Sequence, residues 1–334
     1  MYEFASGVIN IWEKRILSRN DQERMLTAPD KANAFLVLFD TDLGELTVGT
    51  EEIEKIFEKD LVALKAKLAN ILDDQGKLAA YLFLTFEVWN LKIALKELLL
   101  KGQAQSMEPF LCTLIPYQRL VTRVGQVWQK NQSVEDLLAE RLTGGSECLE
   151  RIMLLTQTEL NQMGAIDSVA IETAVDKAYF QVKAQLAKKL SSFLVELVRL
   201  EIDVANIKST VRQNGHSWFI SGGNLKTQDI QKLLAHQGGE TPEQNLAKFL
   251  EILNLSFLIE DFLKHKSEIF LEQGLQKFLS HRVLEKARNT ACGLEKVLAF
   301  FHRKMNSHFN IRLILFAKDN NLSTVEIEKL LLPI

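Results

Sequence analysis

One short helical phrase occurs three times in this chain and limits its fold more than any other feature. It reads Glu87-Val-Trp-Asn90-Leu-Lys92, then Asp203-Val-Ala-Asn206-Ile-Lys208, then Ser307-His-Phe-Asn310-Ile-Arg312. The common core is an asparagine, a branched aliphatic residue and a cation. An acid stands three positions before the asparagine in the first two copies, and Ser307 stands there in the third. On a helix that spacing sets acid and amide side by side on one face. The asparagines are 116 and 104 residues apart. A second phrase follows the later two copies, Leu225 to Leu234 and Leu322 to Leu331, with a looser echo from Leu17 to Leu26. Recurring helical units point to a fold built by repetition.

Only 5 prolines and 16 glycines occur in 334 residues, too few breaks for a turn-rich β fold. Leu, Lys, Glu, Ala and Gln dominate, and all are good helix formers. The expected fold is all-α, in three units over 1–115, 116–238 and 239–334. Apolar periodicity predicts helices over 2–28 with a break near Arg19, from a cap at Thr50 to about 72, and over 78–101 with Gly102 as its end. Further helices are expected over 117–130, 133–142, 146–162, 225–236, 243–263, 265–287, 291–318 and 322–332. Residues 168–215 read as one very long helix or as two. A single 45-residue helix would run about 65 Å, so the molecule is elongated or that helix bends.

The net charge of −3 argues against a general nucleic-acid binder. Its distribution is uneven: residues 1–60 hold thirteen acids and seven bases, while 277–318 hold nine bases and two acids. Either these are two solvated helix faces, or the two ends of one molecule neutralise each other, or a basic surface carrying Arg282, Lys286, Arg288, Arg303 and Lys304 meets an acidic partner. Cys112, Cys148 and Cys292 lie far apart without a CxxC pair, which fits reduced thiols and disfavours a disulfide framework or a zinc site. No basic segment followed by an apolar stretch opens the chain, so no secretion signal is expected. The apolar run Leu78 to Phe86 is too short to cross a bilayer.

Chemistry is not written into the motifs. No GxxxxGK[ST] phosphate cradle, HExxH or nucleophile elbow occurs, and the six histidines are scattered. No catalytic residue, cofactor, metal or small-molecule substrate is therefore expected. Asparagine is a poor helix-interior residue, because its amide competes with backbone bonding. Three in one local frame call for a common role: a hydrogen bond to a neighbouring helix that fixes how each repeat packs, or direct contact with a partner. The candidate residues are Glu87, Asn90, Lys92, Asp203, Asn206, Lys208, Arg212, Asn310 and Arg312.

At these residues the chain resembles the C-type subunits of the V/A-type rotary ATPases, homologues of the d-type subunits of eukaryotic V-type enzymes. The likeness is carried by Tyr2, Ala5, Glu13-Lys-Arg15, Leu17 and Arg24-Met-Leu26, then by Glu201-Ile-Asp203-Val-Ala-Asn206-Ile-Lys208 with Arg212. Ile220-Ser-Gly-Gly223-Asn-Leu225 follows, and Asn310-Ile-Arg312, Lys318, Leu322, Ile327 and Leu330 close the set. The ordered set covers nearly the whole chain; 103–145 matches least, and Ser307 departs from the expected acid. The resemblance implies three similar helical units in a funnel about a pseudo-threefold axis. It implies a non-catalytic rotor part, peripheral on the cytoplasmic face of the membrane. Its partners would be central-shaft subunits of the D/F type and the membrane proteolipid ring. The alternative is a stand-alone helical-repeat adaptor.

Overall fold

The computed structural model describes residues 2–48, 52–72, 76–100, 108–113, 115–129, 145–163, 165–212, 219–226, 250–251, 255 and 268–334. Among them the regular structure is helical throughout: α1 (Glu3–Trp12), α2 (Arg19–Thr27), α3 (Lys31–Leu36), α4 (Ile53–Ile71), α5 (Lys77–Leu99), α6 (Tyr117–Gln129), α7 (Gly145–Asn161), α8 (Ser168–Lys188), α9 (Ser192–Arg212), α10 (Glu268–Arg288), α11 (Leu294–Asp319) and α12 (Thr324–Leu330). The chain is all-α. Contacts divide it into two compact units, one of residues 1–8 and 46–198, the other of 9–45 and 199–334.

The first unit is built on α5, which packs against α4, α6, α7 and α8. Every residue from Leu78 to Leu84 is buried, as expected of a segment that is apolar all round. Beyond Phe86 the helix turns one face inward: Val88, Leu91 and Leu95 join Leu120 and Val124 of α6, Ile152 of α7 and Ala174 and Ala178 of α8 in one core. By length and composition Lys77–Leu99 could cross a membrane, but 78 % of its qualifying 18-residue apolar window is buried inside the fold. It is a core helix. Helix α4 starts after Glu52; Thr50, the expected cap, lies outside the described residues, as does Gly102.

The periodic stretch after 168 is two helices rather than one. Helix α8 is opened by Asp167, whose side chain accepts from the Ala170 N–H at 2.7 Å. It closes at Lys189, and the Ser191 hydroxyl accepts the Leu194 N–H at 3.2 Å to open α9. A serine that satisfies an orphan donor favours a new helix start over continuation.

The second unit is built on α11, which packs against α2, α3, α10 and α12. Helix α2 begins with a capping box, where Ser18 and Asp21 satisfy each other's backbone N–H groups. The predicted break before Arg19 therefore falls at a true cap. Helix α12 starts within the expected 322–332, with Ser323 at the N-cap, although its side chain makes no capping bond. The expected helices 133–142, 225–236 and 243–263 fall on stretches outside the described residues, save for 225–226 and 255, which are non-helical, and for 250–251, which are helical.

Candidate functional site

The three asparagines do one job. Asn90 Nδ2 donates to the Phe110 carbonyl at 2.8 Å, and its Oδ1 accepts the Phe110 N–H at 2.8 Å. Asn206 holds Ile220 by the same two bonds, each 2.9 Å. Asn310 holds Leu332 by the same two bonds, each 2.8 Å. The clamped residues lie 20, 14 and 22 positions downstream, all in non-helical backbone. The amide partner is thus a non-helical strap and not the neighbouring helix that the sequence suggests. Each clamp replaces the peptide–peptide pairing that the strap cannot make with a helix.

The acid of the phrase works in register with the asparagine. Ile115, five residues after Phe110, gives its N–H to Glu87 Oε1 at 3.3 Å. Leu225, five after Ile220, gives its N–H to Asp203 Oδ1 at 3.0 Å, while the backbone and side-chain amides of Asn224 reach Asp203 Oδ2 at 3.1 and 2.8 Å. Both carboxylates are fully buried. Burial pushes the Asp203 carboxyl above the usual range, and the donors on Leu225 and Asn224 pull it back down. In the third copy the Ser307 hydroxyl bonds its own helix, donating to Arg303 O at 2.8 Å. Asn306, one position earlier, serves the strap instead: its amide reaches Pro333 O at 2.7 Å and Ser280 Oγ at 3.2 Å.

The Gly222-Gly223 pair serves this seat. Gly222 takes φ +105, a conformation that L side chains rarely adopt. A Cβ on Gly223 would collide with Asp203 Oδ1. Gly223→Ala is expected to destabilise the fold by about 1–3 kcal/mol in chemical denaturation. Gly7→Ala, in a helix with nothing near the new methyl, should be neutral or stabilising. Equal midpoints for the two variants would mean that the Asp203 seat is not tight.

The cations of the phrase do not share a role. Lys92 pairs with Asp176 at 2.7 Å; burial raises the Asp176 carboxyl, and Lys92 opposes that rise. Lys208 is half-buried, and Arg312 is exposed. Arg212 closes α9, and its side chain lies outside the described residues.

Strap residues 108–116 hold a further contrast. Glu58 accepts the Leu111 N–H at 3.0 Å, and Lys65 donates to Thr113 O. Between them Cys112 is fully buried, and desolvation pushes its thiol up to about 12. Cys292 is exposed in the turn before α11. Alkylation of the folded protein at neutral pH should therefore label Cys292 first and Cys112 only on unfolding. Peptide mass spectrometry checks the order; early labelling of Cys112 would mean that the strap opens in the folded state.

The basic stretch is largely engaged within the same unit. Arg303 pairs with Glu13 at 3.0 Å, and Lys304 with Asp42. Lys318 donates to the carbonyls of Leu26 and Ala28, which lie at the end of α2, and Lys31 reaches Asp319 at 2.8 Å. Lys304 is only 2 % exposed, so the expectation of a docking cation there is corrected: an ammonium inside the fold is held by its internal acid. Arg303 is likewise turned to Glu13. Arg282, Lys286 and Arg288 lie exposed on the last turns of α10, where positive charge also suits the helix end. The strap partners Phe110 and Leu332, and Asn306 beside them, are invisible to motif reading; Ile220 lies in a stretch that motif reading singles out, but nothing there marks it as the partner of Asn206. Among the described residues no group of three or more His, Cys, Asp or Glu side chains could hold a metal ion.

The model of the ATP synthase (C/AC39) subunit family matches residues 5–330 of this chain. No curated protein matches it.

Proposed function

The chain belongs to the ATP synthase (C/AC39) subunit family, and from that premise we propose that it is the non-catalytic central-stalk part of a V/A-type rotary ATPase. In this reading it couples shaft subunits of the D/F type to the membrane proteolipid ring, on the cytoplasmic face, for proton or sodium transport. The observation that carries the reading is the family match from residue 5 to 330, which takes in all three phrases in order. We take those phrases as marks of three similar units, 1–115, 116–238 and 239–334, set about a pseudo-threefold axis.

The physical requirement on such a part is stiffness. A coupler that yields under torque dissipates it. Long helices packed on shared cores and straps bolted to them by paired hydrogen bonds are what a torque-bearing body needs. Of the basic stretch, Arg282, Lys286, Arg288 and Arg312 are exposed, which supports the reading that acidic loops of shaft or ring meet the chain there.

Reconstitution tests the proposal. Ring, shaft and head assembled with the chain should tie ATP hydrolysis to ion movement. Assembled without it, hydrolysis should continue while ion transport is lost. Full coupling in its absence would overturn the reading.

A further inference from the structure

Apolar side chains exposed singly are ordinary, whereas three in line on a fixed backbone call for a cause. Helix α3 runs straight into the 3-10 helix Val37–Asp40. Ala34, Val37 and Leu38 are buried, while Ala32, Leu36 and Phe39 are exposed. Leu36 is 58 % and Phe39 50 % exposed. Positions i and i+4 of an α-helix share a face, and i and i+3 of a 3-10 helix eclipse, so the three form a stripe about 12 Å long.

The backbone under the stripe is held from both ends. Asp30 caps α3 by accepting the Asn33 N–H at 2.8 Å, and Lys31 ties it to Asp319 of α11 at 2.8 Å. The Thr41 hydroxyl donates to Leu38 O at 2.7 Å and accepts the Leu43 N–H at 3.2 Å. A Cβ on Gly44 would collide with Phe39 O, so the chain folds back closely on the Phe39 peptide. Phe39 thus faces outward from a braced turn. Negative charge is in excess around it. Residues 19–45 hold six acids and three bases. Each base is already paired: Arg19 with Glu23, Arg24 with Asp21 and Asp40, Lys31 with Asp319. Asp30 stands at the Ala32 end of the stripe and Glu45 follows Gly44 at the Phe39 end, and neither joins an ion pair among the described residues.

We propose that this face of α3 is a docking surface for a basic amphipathic helix of a partner protein. The inference stands apart from the rotor reading and needs only this surface. Two turns of helix span about 11 Å, so apolar residues at i, i+4 and i+7 of the partner meet the stripe in register. Lys or Arg at either end of that run faces Asp30 on one side and Asp40 and Glu45 on the other. The same acids repel phosphate groups, which turns away an anionic membrane or a nucleic acid.

The probe is a fluorescent synthetic helix with leucine along one face and lysine on the other, read by anisotropy against the full chain. It should bind, and a version with glutamate in place of lysine should not. Leu36→Ser with Phe39→Ser should weaken binding about tenfold or more, because anchors at the centre of a contact carry most of its energy. Asp30→Ser with Glu45→Gln, which keeps a cap on α3, should weaken it and lessen its salt dependence. Ile166→Ser with Val169→Ser, exposed apolar residues beside the start of α8, should leave the affinity unchanged. An unshifted urea midpoint confirms the fold of each variant, and Leu36→Ala with Phe39→Ala replaces the first pair if serine shifts it. Binding that survives the loss of Leu36 and Phe39, or that falls as far in the α8 control, overturns the proposal. So does light scattering that shows a dimer abolished by the Leu36 and Phe39 replacements while the peptide goes unbound.

Discussion

Lys304→Glu lowers the unfolding free energy by about 3–5 kcal/mol, the cost of breaking a buried ion pair and leaving one charge uncompensated. Lys304 is 2 % exposed, and its ammonium is bonded to Asp42. Reversal sets a buried carboxylate against that of Asp42, whose side chain is 24 % exposed. The Asp42 loop has little room to retreat, since its backbone N–H is itself committed to Arg15 O at 2.8 Å. The effect should appear as a lower urea midpoint with the denaturant slope unchanged. Exchanging the two, with Asp42→Lys alongside Lys304→Glu, should recover part of the loss. Arg312→Glu, at an exposed position, should shift stability by less than about 0.5 kcal/mol. A Lys304→Glu midpoint equal to that of Arg312→Glu would show Lys304 to be solvated. The outcome also bears on docking: a Lys304→Glu chain that fails to join an assembly has lost its fold before it has lost a contact.

Asn206→Leu is the second large effect. It keeps the forked shape of the side chain and strands the N–H and carbonyl of Ile220, both in buried surroundings. Each orphaned group costs about 1–3 kcal/mol, so a loss of about 3 kcal/mol or more is expected. Asn206→Asp should be no better, because it turns a donor into an acceptor facing the Ile220 carbonyl and buries a charge. The companion Asn90→Leu should cost less: Phe110 is half-exposed, and water can serve the groups released there. Urea midpoints order the variants, and hydrogen exchange at the Ile220 amide should quicken in Asn206→Leu alone. Equal losses at Asn90 and Asn206 would mean that burial of the clamped peptide is not what sets the cost.

The helical skeleton is legible from periodicity because its cause is local. Helices α4, α5, α10 and α11 fall within a few residues of their predicted ends, and the cap at Ser18 sits at the predicted break. The division between α8 and α9 is open in the sequence, because the apolar stripe runs straight through it; Ser191 decides it with one hydroxyl. The common frame of the asparagines is visible, but their partners are not. A clamp on a peptide group has no preferred partner residue, so Phe110, Ile220 and Leu332 carry no mark beyond being apolar. The uneven charge is equally visible, and the pairing of Arg303 with Glu13 and Lys304 with Asp42 is not, because pairing depends on which elements meet.

An asparagine that grips a peptide unit grips something every amino acid carries. At the clamped position itself, any residue offers the same N–H and carbonyl, and even the interval between helix and clamp varies, as 14, 20 and 22 attest. The latitude ends at the helix, where no other side chain offers a donor and an acceptor at the same reach. Labels or reporter sequences spliced between a helix and its strap should accordingly be borne without harm, provided that the amide on the helix is left alone.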